Sequence, residues 1–299
     1  MNRPGEGIAE RLGPAWKRHE RRWKENRFVY AVVSRRSRGV SIGINLNPDK
    51  ACNFSCVYCQ VDRSVAPSIR KVDLEKLELE LNCILEAERD GSLYSAAPFN
   101  ALTPAERGIR DIAFSGDGEP TAFAGFEKSV RIAADARRRF GLDTSRLILL
   151  TNAALLHRPG VRAGLALMDL NNGEIWAKLD AGTEEYFRKV NRTRTPIRKI
   201  LVNIRDAARV RPLVIQSLWF RTHGLRPPTD EIEAYCNCLN GIMSAGGSLK
   251  ILQLYTIARN PAEAYASELA DRELDQIASI VQSRVPVPVE VFYSAARPL

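Results

Sequence analysis

From Ser41 onward the chain trades a strand period for a helical period again and again, and no other feature of its 299 residues constrains the fold as strongly. Aliphatic, β-branched runs beginning at Ser41 and at 111–115, 146–151, 174–179, 213–219, 249–256 and 289–293 read as strands. Amphipathic stretches near 73–90, 126–139, 160–169, 183–189, 196–209, 229–244 and 262–283 read as helices. Ahead of them, FVYAVVSRRSRGVSIGINL holds two β-rich runs separated by SRRSRG, the pattern of a hairpin or strand pair. Repeated βα units with right-handed crossovers give a parallel sheet, either open and doubly wound or curled into a barrel, and periodicity does not choose between them. The length suits one large α/β domain with short extensions.

The second β-rich run leads into ACNFSCVYCQVDR, where Cys52, Cys56 and Cys59 follow the spacing C-x3-C-x2-C. Structural zinc takes four protein ligands, usually in two separated pairs, whereas a reactive centre keeps one position open. Iron–sulfur clusters are held by cysteine thiolates, normally four, so three in one loop imply a [4Fe–4S] cluster with one iron left for a non-protein ligand. The competing reading is three reduced thiols or part of a zinc knuckle. Of the other cysteines, Cys83 reads as a buried packing residue on an amphipathic helix. Cys236 and Cys238 would lie about 200° apart around a helix, which disfavours joint metal binding. Six cysteines without an apolar leader in MNRPGEGIAE suggest a reducing cytoplasm. No run approaches the roughly 18–20 apolar residues of a membrane span, so a soluble protein without membrane contact is expected.

The triplet, with Tyr58 directly before its last cysteine, resembles the signature of the radical S-adenosylmethionine (radical SAM) superfamily. The resemblance continues through DIAFSGDGEPT with Gly116, Asp117, Gly118, Glu119 and Pro120, and LILLTN with Thr151 and Asn152. It extends to EIWAKLDAG with Lys178 and Asp180, and to SLKILQLYTIAR with Gln253, Thr256 and Arg259. Over residues 40–260 the pattern is similar to the branch that includes the archaeal wyosine-tRNA synthases. Those enzymes carry a second cluster upstream of the triplet, and no cysteine precedes Cys52 here, so the branch substrate is not transferred.

The resemblance implies a partial (β/α)6 TIM-like barrel with six core strands and one terminal strand. The expected division is 1–40 as a basic helix and first hairpin strand, 41–260 as the radical SAM core, and 261–299 as a terminal helix and strand. The reactive face of such barrels is the C-terminal end of the strands. The implied cofactors are a [4Fe–4S] cluster on Cys52, Cys56 and Cys59, and S-adenosylmethionine, cleaved reductively to a 5'-deoxyadenosyl radical that abstracts hydrogen from substrate. Tyr58 would shield the cluster and contact adenine. Gly116, Asp117 and Gly118 would offer backbone groups to the methionyl amine, since glycine lets main chain approach a ligand closely. Glu119 would add a charge-assisted contact or organise the Pro120 turn. Thr151 and Asn152 would bond ribose or carboxylate, Gln253 would line the cofactor site, and Arg259 would pair with a carboxylate. Lys178 and Asp180 share a strand face and would hold an acidic substrate, form a Schiff base, or make a structural ion pair.

Net charge is +9, and residues 1–40, with 11 basic and 4 acidic side chains, carry +7 of it. There AWKRHERRWKENR would place Trp16 and Trp23 on one helix face, either packed on the barrel or offered to RNA or an acidic partner. The expected partners are a reductant such as flavodoxin or ferredoxin, and a substrate among which RNA comes first. A glycyl-radical activase, a small-molecule maturase and a non-catalytic iron–sulfur protein are the alternatives. Loop 91–110 reads as a flap, a partner-binding insertion or equally a surface excursion without function, and His157 and His223 stand isolated.

Overall fold

The computed structural model describes residues 23, 25–34 and 36–294; the expected basic helix, with Trp16, lies outside them. Strands β1 (Val29–Ser34) and β2 (Gly39–Ile44) form an antiparallel hairpin with Val29 opposite Ile44. Then follow β3 (Ile109–Phe114), β4 (Arg146–Thr151), β5 (Gly173–Lys178), β6 (Leu213–Leu218) and β8 (Leu249–Tyr255), each parallel to its neighbour, with β10 (Val289–Phe292) last. The sheet order is β1-β2-β3-β4-β5-β6-β8-β10, which gives the six core strands and terminal strand expected. The sheet curls: Tyr30, Gly43, Ala113, Ile148, Trp176, Gln216 and Tyr255, from seven strands, line one cavity.

The crossovers are α1 (Leu74–Arg89), α2 (Phe126–Arg139), α3 (Pro159–Asp169), the pair α4 (Glu184–Asn191) and α5 (Ile197–Ala208), α6 (Thr229–Ser244) and α7 (Asp271–Arg284). Their starts follow local chemistry. Asp73 accepts from the amides of Glu75 and Lys76, both at 3.1 Å, Thr183 accepts from the Tyr186 amide, and Pro159 opens α3. Strands β2 and β6 are buried along their whole length, as expected where a parallel sheet is covered on both faces. Inside the barrel Ala113, Ile148, Trp176 and Val214 form a small apolar plug separate from the main core. Gly43 leaves room for Tyr30, whose ring a Cβ there would meet at 2.1 Å. Below the plug lies a polar floor: Ser41 donates to Asp111 at 2.5 Å, while Arg146 and Lys250 meet Glu174 at 3.2 and 2.6 Å.

Several expectations change. The helix placed at 262–283 begins only at Asp271, because residues Ala266–Glu268 form β9 instead, paired antiparallel with β7 (Phe220–Thr222). Cys83 is exposed, since Leu81, Ile84 and Leu85 occupy the buried face of α1. Loop 91–110 is a packed excursion of three short turns, with Leu93, Tyr94, Phe99 and Leu102 buried and Trp23 edge-on to Phe99 at 6.0 Å. Buried Glu80 ties the chain ahead of β1 to α1 by accepting the amides of Arg27, Phe28 and Val29 at 2.7–3.1 Å. No helix among the described residues is long and apolar enough to cross a membrane.

Candidate active site

At the C-terminal end of β2 the chain turns into the cysteine loop, which rests on two neighbours. One is the turn after β3. Gly116 and Gly118 pack so closely on this loop that a Cβ would meet Asn45 Oδ1 at 2.2 Å and the Ala51 carbonyl at 2.1 Å. These glycines therefore hold the loop in place. Asn45 completes the joint, its Oδ1 accepting the Asp117 amide at 3.1 Å and its Nδ2 donating to the Asp117 carboxylate at 2.8 Å. The other neighbour is the end of α4, where Asn191 and Val190 carbonyls accept the amides of Ser55 and Val57 at 3.3 and 3.0 Å.

Glu119 is buried, and both its oxygens are engaged. Oε1 accepts from the Thr121 amide and hydroxyl and from Thr151 Oγ1 at 2.6 Å, and Oε2 accepts the Asn152 amide at 2.7 Å. Burial raises its carboxyl above the ordinary range, against the pull of these donors. Asn152 also donates to Asn53 Oδ1 at 2.7 Å, so the ends of β3 and β4 and the cysteine loop are cross-linked. Glu119 thereby ties the Pro120 turn to the end of β4.

A second hub is Asp180. Its Oδ1 accepts the Leu218 amide at 2.9 Å and Lys178 Nζ at 3.3 Å, and its Oδ2 accepts the Tyr58 hydroxyl and Asn191 Nδ2, the latter at 3.3 Å. Lys178 also donates to Tyr255 at 2.7 Å and lies 4.9 Å from the centre of the Tyr58 ring. Burial works to lower the Lys178 pKa, but Asp180 and Tyr255 outweigh it and hold the ammonium above its ordinary value. Lys178 thus sits as the cation of an ion pair with Asp180.

Cys52, Cys56 and Cys59 are half-buried and unpaired to one another by disulfides. Asn191 Nδ2 lies 3.5 Å from Cys56 Sγ, and Arg63 Nη1 lies 3.0 Å from Cys59 Sγ while Arg63 Nε donates to the Lys50 carbonyl at 3.1 Å. Burial pushes the Cys56 thiol up to about 11. Among the described residues no three His, Cys, Asp or Glu side chains converge as ligands of a single metal ion. A cubane cluster takes its thiolates on different iron atoms, so three thiols of one loop fit it without such convergence. Cys236 is buried in α6, and Cys238 sits 3.4 Å from the Gly182 carbonyl.

The three cysteines, Tyr58, Gly116, Gly118, Glu119, Thr151, Asn152, Lys178 and Arg259 line one cavity of about 350 Å³. Asp117, Asp180 and Gln253 do not: Asp117 faces Asn45, Asp180 stands behind Lys178 and Tyr58, and Gln253 accepts from Gln216 at 2.8 Å. His223 stacks on Tyr265 at 4.3 Å outside the cavity. Sequence reasoning missed Asn45, Arg63 and Asn191. A cation four residues past Cys59 was a usable signal for Arg63; nothing in the sequence pattern marked the two asparagines.

No family model matches the chain. A UPF0026 protein of Methanocaldococcus jannaschii is 29% identical over 165 residues, 55% of this chain and 44% of that protein. The chain spans about half the length of such curated relatives. Streptococcus suis SuiB bound to S-adenosylmethionine superposes with TM-score 0.56 at 10% identity, covering 84% of this chain and 50% of that one. TYW1 with a lysine–pyruvate adduct bound gives TM-score 0.54 at 13% identity, covering 93% and 82%. These likenesses establish the fold.

Proposed function

We propose that this chain, which has the fold of the radical SAM enzymes, is itself a radical SAM enzyme that binds a [4Fe–4S] cluster and S-adenosylmethionine. The observation that carries the reading is one cavity shared by three thiols, the Gly116–Glu119 turn and the ends of β4 and β5. Cys52, Cys56 and Cys59 would hold three irons and leave the fourth open. Bound together, the two cofactors would supply a 5'-deoxyadenosyl radical for hydrogen abstraction. The protein supplies orientation and exclusion of competing reactions. Glu119, Thr151 and Asn152 fix the cavity wall to which the cysteine loop is bonded, Tyr58 would cover the cluster side, and Lys178 would set a cation beside it. Arg259 lines the cavity and would be the carboxylate-pairing residue in this reading. A one-electron donor of the flavodoxin or ferredoxin type completes the system.

RNA is the substrate class this reading puts first. Exposed Lys189, Arg194, Arg198 and Lys199 follow the α4–α5 segment that carries the cysteine loop, and Thr193 donates to the Asn53 carbonyl at 3.3 Å. Such a strip suits phosphate contacts. The test is anaerobic reconstitution with iron and sulfide, reduction with dithionite, and measurement of 5'-deoxyadenosine with and without total tRNA. Release above the cluster-free control supports the radical reading, and stimulation by tRNA that fades with added salt supports the RNA reading. With about four irons bound per chain, absence both of release and of S-adenosylmethionine binding would overturn it.

A further inference from the structure

We propose that the barrel lumen contains an oxyanion subsite between Arg36 and Lys178 that takes the carboxylate or phosphate of a small substrate, or of a substrate end narrow enough to enter. This rests on the function proposed above and extends it to the chemistry of what is bound besides the cofactors.

Arg36 belongs to the turn joining β1 and β2, yet its guanidinium lies 4.6 Å over the ring of Tyr255 on β8, across the seam of the open sheet. Lys178, from β5, bonds the hydroxyl of the same tyrosine and lies 5.3 Å from its ring centre. Two cations from different walls thus meet at one aromatic ring, and both line the cavity. One carboxylate serves Lys178, and it is already shared. Asp180 accepts from Lys178, Tyr58, Asn191 and the Leu218 amide, while Arg36 makes no ion pair with the described residues.

Of the acids lining the same cavity, Glu119 is held by Thr121, Thr151 and Asn152. Asp111 is bonded through one oxygen by Ser41 on the barrel floor, while its Oδ2 has no hydrogen-bond partner and lies 4.0 Å from Arg146; neither acid pairs with Arg36. Positive charge in a poorly solvated wall is stabilised by an anion, and a planar guanidinium beside a point-like ammonium suits an oxyanion with two or more oxygens. In register with Lys178 stands Gln216, which also lines the cavity and so offers a neutral polar neighbour to such a ligand. Ala113, Ile148 and Trp176 line the same cavity, so an apolar wall adjoins the two cations.

The test uses reconstituted holoenzyme with saturating S-adenosylmethionine, so that the cofactor's own carboxylate is already placed. Inorganic phosphate, acetate and uncharged acetamide are titrated calorimetrically. Phosphate or acetate should bind saturably and acetamide should not, and the tighter of the two anions identifies the head group. Arg36→Gln should weaken that anion about tenfold or more, as expected for one lost charged partner, whereas Arg36→Lys should retain most of it. Circular dichroism checks that both variants fold. Absence of anion binding to the wild type under saturating cofactor, or equal binding by Arg36→Gln, overturns the subsite. Wild-type 5'-deoxyadenosine release, measured on the same sample, reports separately on the radical reading.

Discussion

Cys56→Ala is expected to lower bound iron from about four per chain to near zero after reconstitution and to reduce 5'-deoxyadenosine release to background, since two thiolates do not retain a cubane cluster. Cys52→Ala and Cys59→Ala should behave alike. The contrast lies in the remaining cysteines. Cys236 is enclosed in the packing of α6, Cys238 is directed at the Gly182 carbonyl, and Cys83 is exposed on α1, so serine at each should leave the iron count unchanged. Iron analysis with near-ultraviolet absorption decides the matter. Full iron retention by Cys56→Ala would mean that another ligand set holds the metal.

Removal of the Asp180 carboxylate should produce the largest loss of stability. In Asp180→Ala the half-enclosed ammonium of Lys178 loses its counter-ion, and Tyr58, Asn191 and the Leu218 amide lose their acceptor. Breaking a buried pair from one side costs about 3–5 kcal/mol, enough to lower a urea midpoint strongly. Asp180→Asn, which keeps an acceptor, should cost less. The pH dependence follows from Lys178, whose pKa in the folded chain stands above the ordinary 10.5. A group raised on folding contributes stability that is complete below its unfolded value and fades as pH climbs through the folded one. The Lys178 contribution should therefore stay level from pH 7 to about 9 and decline only beyond about 10.5. A urea midpoint for Asp180→Ala equal to wild type at pH 7 would contradict the hub.

The frame of the molecule was legible because its signals are local. The 2-residue and 3.6-residue periods located six core strands, and β4 and α6 begin and end where the sequence places them. The strand pair β7–β9 was hidden, since three residues carry too little alternation to outweigh a neighbouring helical stretch. At the site, residue identity announced chemistry but not partnership. Glu119 reads as a ligand contact or an organiser of the Pro120 turn, and its bonds to Thr151 and Asn152, more than thirty residues on, leave no mark in the sequence. Asp180 seems to belong with Lys178 two residues away, yet it also receives Tyr58 from 122 residues earlier. Asn191 sits in a basic run with no spacing to mark it, and only the fold brings it to Cys56. Contacts set by tertiary packing leave no period in the chain.

The claim at the centre of this account is that three cysteines leave one iron open to S-adenosylmethionine. Electron paramagnetic resonance of the dithionite-reduced, reconstituted protein, recorded before and after S-adenosylmethionine is added, tests it most directly. The account predicts a changed spectrum, because the added cofactor becomes a ligand of the cluster. An unchanged spectrum, from protein that carries about four irons per chain, would mean that the fourth iron is already closed.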